Sequence, residues 1–211
     1  MAGGHVSGRE IVRASWPVVV AGSLGLVVWP SGAEAHLVTT GLGPVYDGLS
    51  HFALTPEDLV PALALALLAG LRGATHGRRV LFVLPAAWLL GGILGLAMYG
   101  RGSPALTAIS FVLLGGLVAA DVRLPLGSTT MLAALLGLVH GHLNGAALAS
   151  PGPGVPGLVG VVVAVFTLVA LAASLVVPLR AAWARVAVRV AGSWIAAIGL
   201  LLLGWAVRAG A

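Results

Sequence analysis

The stretch "RRVLFVLPAAWLLGGILGLAMYGR", residues 78–101, decides the fold. Arginines bracket it and no charged residue interrupts the run between Arg79 and Arg101. At the rise of an α-helix that run is about 30 Å long, the thickness of a bilayer's hydrocarbon core. A helix suits that core because it satisfies its backbone N–H and C=O groups within the segment. Similar runs lie on either side. The pattern predicts six membrane-spanning helices, at roughly 57–72, 79–100, 104–120, 128–149, 155–178 and 186–207. The links "RGATHGRR", "RGSP", "DVRLPLG", "SPGPGVPG" and "PLRAAWAR" carry Gly and Pro, which break helices, and Arg, which stays at the interface.

Composition agrees with an all-α, polytopic transmembrane bundle. Of 211 residues, 59% are hydrophobic and 8% charged, and the mean hydropathy is +1.08. A soluble fold of this size has too little interior for so much apolar surface. The isoelectric point near 11.4 does not signal nucleic acid. The 11 basic residues are all Arg and lie scattered between apolar runs. The absence of Cys excludes disulfides and thiolate metal sites. Most of the six Trp lie near the ends of apolar runs, as an interfacial belt requires.

Residues 1–35 read as a cleaved signal peptide: Arg9 and Arg13, then "WPVVVAGSLGLVVWP", then small residues at Ala33 and Ala35. Cleavage after Ala35 would expose His36, whose α-amine and imidazole could chelate one divalent ion. Residues 36–56 form an acidic, His-bearing segment outside the membrane, and 57–211 the six-helix domain. Arg placement sets the orientation. With the mature N-terminus outside, Arg72, Arg78, Arg79, Arg123, Arg180, Arg185 and Arg189 lie inside, and Arg101 and Arg208 outside. The expected location is a bacterial inner membrane, with both termini on its outer side. A homo-oligomer is left open.

Ionisable groups within apolar runs point to function. In "GLVHGHLNG", residues 137–145, Gly137, Gly141 and Gly145 make one stripe that admits a close neighbour helix. His140 and Asn144 lie together beside it, a polar step on a cation path or an interhelical hydrogen bond. His142 lies about 200° around the axis from His140, so an unbroken helix cannot aim both rings at one ion. Asp47 and His51 are four apart, and on a helix could share a metal or a hydrogen bond. Thr55 is placed to cap the first span, with Pro56 at its first position and Glu57 and Asp58 favouring its dipole. His76 reads as solvated, and Asp121 with Arg123 as an interfacial pair. The glycine pairs 91–92 and 115–116 read as packing sites. No Ser has a His or Lys at catalytic spacing, and no phosphate loop, G-x-S-x-G or H-E-x-x-H occurs, so no enzyme and no prosthetic cofactor is expected.

"AEAH", "GLGPVYDGLSHFALTPEDLVPALALALLAGLRG", "LPAAWLLGG" and "GLVHGHLNG" together resemble the HupE/UreJ family, across most of the mature chain. That resemblance implies a small polytopic nickel or cobalt permease associated with hydrogenase or urease maturation. It makes Asp47, His51, His140, His36 and His142 candidates for contact with a transported Ni²⁺ or Co²⁺, with Asn144 beside them and Asp58 in a related acidic place. Phe52 follows His51 where family members carry proline, and no adjacent Asp-His pair is present. A non-transporting accessory subunit of a metalloenzyme system is the alternative.

Overall fold

The computed structural model describes residues 39–98, 104–149 and 151–210. The expected signal peptide and His36 lie outside them. The described residues form seven helices: α1 Pro44–Leu54, α2 Pro56–Arg72, α3 Ala74–Ala97, α4 Pro104–Ala119, α5 Leu126–Leu148, α6 Gly154–Val176 and α7 Ala182–Gly210. Among the described residues there is no strand.

Helices α2 to α7 fall on the six apolar runs, but they are not equivalent. α3, α5, α6 and α7 are each long and apolar enough to cross a membrane. α4 has 16 residues and is shorter. α2 reaches spanning length only together with α1, and the two meet at a bend of 74°. The bend is local chemistry. Pro56 disfavours helical geometry at the residue before it, and Thr55 is extended, with φ −103° and ψ 92°. The Thr55 hydroxyl does not cap α2, as its position suggested. It donates instead to the carbonyl of His51, 2.6 Å away, and ties the end of α1.

α2 is the axis of the bundle. Pro61, Ala62, Ala64, Leu65, Ala66, Leu68, Ala69, Gly70 and Leu71 are all buried, so it is enclosed nearly all round. It touches every other helix. Around it, α3 packs on α5, α1 on α6, and α4 on α7, while α6 also packs on α3.

Glycine makes these pairs close. A Cβ on Gly141 would lie 2.2 Å from the Trp88 carbonyl oxygen, and one on Gly145 would lie 2.0 Å from that of Gly92. α3 answers with Gly91 and Gly95 against the backbone of Leu138 and His142. The stripe read from residues 137–145 is thus one half of a reciprocal small-residue crossing. Gly115 and Gly192 do the same between α4 and α7, and Gly48 and Gly160 between α1 and α6. Gly116, read as a packing residue, faces open space.

Candidate functional site

Three polar side chains meet where α2 begins and α5 runs past it. Asp58 is 5% exposed, His140 1% and Asn144 2%. The His140 Nδ1–H donates to Asp58 Oδ1 at 2.8 Å. The Asn144 Nδ2 group donates to Asp58 Oδ2 at 2.7 Å and to the His140 carbonyl at 3.0 Å. One carboxylate therefore binds two side chains spaced one helical turn apart, 82 and 86 residues further along the chain. α5 can place both because residues four apart share one face of a helix.

Two consequences follow for the chemistry. Donation through Nδ1 fixes the ring and leaves Nε2 to face another partner, the arrangement by which a carboxylate orients a histidine ligand. Asn144 spends its amide hydrogens on Asp58 and His140, and its Oδ1 is buried without a partner among the described residues. A buried acceptor with nothing to accept is costly, and it marks a place where a donor or a cation would be held.

Aromatic rings wall the site. Trp88, fully buried, lies 5.7 Å from the His140 ring centre, and Phe52 meets Trp88 edge-on at 5.7 Å. Trp88 therefore departs from the interfacial belt, and its Nε1–H is also buried without a partner among the described residues. Trp183, Trp194 and Trp205 on α7 are exposed. A cleft of about 200 Å³ between α4 and α5 reaches His140 and is otherwise lined by Leu and Ile side chains, Val139 and Ser110.

The other candidates are placed differently. His51 is buried, within electrostatic reach of Asp58. Asp47, four residues before it, is turned elsewhere: its Oδ1 accepts from the Thr40 N–H at 2.6 Å and the Thr40 hydroxyl at 2.7 Å. Its observed role is to close the loop before α1. His142 is half-buried on the α3 side of α5, where its backbone carbonyl abuts Gly95. Glu57 is exposed, so a favourable helix dipole suffices to explain it. It does not suffice for Asp58, whose burial and partners only the tertiary structure reveals. His76 is not simply solvated, since its Nδ1 lies 3.1 Å from Thr129 Oγ1. Asp121 pairs with Arg72 and Arg185 rather than with Arg123. Among the described residues, no three His, Asp or Glu side chains converge on one metal-sized position.

An all-helical bundle of apolar helices around a buried carboxylate–imidazole–amide cluster defines the class: a polytopic membrane protein with a polar centre. A sequence model described as HupE / UreJ protein matches residues 24–202, and the chain belongs to that family. It is 27% identical over 195 residues to Protein HupE of Rhizobium leguminosarum bv. viciae, covering 86% of this chain and 95% of that one. No solved structure matches.

Proposed function

We propose that this protein is a secondary permease that takes up a divalent transition-metal ion, nickel or cobalt, across the bacterial inner membrane. The observation that carries the reading is the buried Asp58–His140–Asn144 cluster. Its carboxylate charge lies inside an apolar bundle, where ionisable groups are costly and line ion paths. Nitrogen and oxygen donors of this kind suit first-row divalent ions. In this reading His140 Nε2 and Asn144 Oδ1 contact the cargo, Asp58 supplies the compensating charge, and His51 adds a second imidazole nearby. Cargo would pass from one donor to the next rather than rest in a closed cage. Membership of the HupE/UreJ family supports the reading. The proposed topology has six crossings, α1 and α2 making one broken span, after a cleaved signal peptide, with both mature termini outside.

One observation favours the second reading, an accessory subunit of a hydrogenase or urease system that moves no metal. Both Asp58 oxygens are already engaged, and no three-residue His, Asp or Glu set is assembled among the described residues. Uptake of radiolabelled Ni²⁺ and Co²⁺ separates the two. For a permease, cells expressing the protein accumulate metal, and Asp58→Ala, His51→Ala and His140→Ala abolish accumulation while the variants still insert. Uptake unchanged by all three substitutions would sink the permease reading.

A further inference from the structure

The bundle is built from two bodies. Glycine contacts lock α3 to α5 and α1 to α6, with α6 also packed on α3. They also join α4 to α7: a Cβ on Gly115 would lie 2.5 Å from the Ala196 nitrogen, and one on Gly192 would lie 2.7 Å from that of Ala119. The α4–α7 pair meets the remainder chiefly through α2. Between α4 and α5 there is slack instead, the cleft whose floor includes His140.

The arginine-rich end of this seam is tied. α4 ends in a Schellman motif, with Val122 N–H bonded to Leu117 O and Asp121 N–H to Val118 O, both at 3.1 Å. The position that must take the left-handed conformation is Asp121, with φ 51°. Glycine takes that conformation freely and a side chain does not. The side chain present is a carboxylate paired with Arg72, at the end of α2, and with Arg185, near the start of α7, at 3.3 Å. Arg189 of α7 also donates to the Ala119 carbonyl at 2.9 Å.

We propose that the α4–α5 seam is the access path to the buried Asp58 cluster, and that Asp121 latches it shut at its arginine-rich end by holding α2 and the α4–α7 pair together. What the opening serves rests on the permease reading; that it opens does not. When the Asp121 pairs break, α4 and α7 swing as one unit about α2 and water reaches Ser110 and His140.

The chain contains no Cys, so single cysteines report without interference. Ser110→Cys in proteoliposomes is labelled with a water-soluble methanethiosulfonate, alone and combined with Asp121→Asn. Losing charge-assisted pairs should speed labelling by about tenfold or more. Leu201→Cys, exposed on α7, serves as the control and should not change. Asp121→Gly is the companion variant. It suits the left-handed position and removes the carboxylate, so the helix end is kept while the latch is lost. Unchanged labelling of Ser110→Cys in either folded variant would overturn the proposal. As a second arm, a short bis-maleimide bridge between Ser110→Cys and Val139→Cys, both on the cleft lining, should stop metal uptake. Undiminished uptake through a bridged seam would also overturn it. If the wild type moves no metal, the permease reading fails, and the labelling arm still decides whether the seam opens.

Discussion

Asp58 carries a burden that its neighbour Glu57 does not. Both sit in the first turn of α2, but only Asp58 is buried and accepts from two side chains of α5. Asp58→Ala would leave the His140 and Asn144 donors unpaired in an apolar interior. Its expected cost is about 1–3 kcal/mol or more, because unmet buried hydrogen-bonding groups lose their full solvation. Glu57→Gln, at an exposed position, should stay within about 0.5 kcal/mol of wild type. Thermal unfolding in detergent distinguishes the two, and equal losses would show that Asp58 acts only through the helix dipole. This difference was not legible in the sequence. A helix start with two acids is fully explained locally, and the groups that single out Asp58 are 82 and 86 residues away. His140 and Asn144 were legible as a pair because helical spacing alone puts them on one face. The partner of Asp47 was hidden for the same reason: Thr40 lies seven residues back in a loop, beyond the reach of a helical spacing rule.

Glycine periodicity is the message that survives from sequence to structure at the level of helices. Gly137, Gly141 and Gly145 recur at the four-residue interval that makes a smooth face, and α3 does pack there. Which helix would use the stripe was not legible, since any neighbour with a small-residue face would serve. Gly141→Leu would drive a side chain into the backbone of Trp88 and force α3 from α5. Overpacking of this kind costs about 1–3 kcal/mol, and more where the obstacle is backbone that cannot shift. Since Trp88 also packs against the His140 ring, the variant should disturb the polar centre and lower the melting temperature together. Gly116→Ala is the comparison, because nothing lies within 4 Å of its added methyl. It should lose no stability and gain up to about 1 kcal/mol, because alanine suits a helix interior better than glycine. Matching losses for the two variants, measured by thermal unfolding, would mean that close approach does not govern these glycines, since both substitutions favour the helix. The 74° bend between α1 and α2 was only half visible. Pro56 announces a break in the helix, but its angle depends on α1 packing against α6 through Gly48 and Gly160.

At the scale of the molecule, the crossing number decides which groups can meet an ion on each side. If α1 and α2 make one broken span and α4 crosses despite its 16 residues, there are six crossings, and Leu42 and Ala209 share a side. Arg72, Arg78, Arg79, Arg123, Arg180, Arg185 and Arg189 then gather on the other, which the positive-inside rule makes the cytoplasm. Five of the seven, Arg78, Arg79, Arg123, Arg180 and Arg189, are exposed, where they can meet lipid headgroups. Arg72 is instead held by Asp121, a half-buried carboxylate that ties helices together. The same parity puts the start of α1, and with it the approach to His51 and Asp58, on the outer side. Single cysteines in the Cys-free chain test this with a membrane-impermeant maleimide on intact spheroplasts. Leu42→Cys and Ala209→Cys should label before lysis, and Arg78→Cys only after it. Labelling of Leu42→Cys and Ala209→Cys on opposite sides would mean an odd number of crossings. The first crossing would then be in doubt: α1 and α2 would form a re-entrant pair that enters and leaves by one face, and Asp58 would sit at the turn of a loop instead of midway along a path.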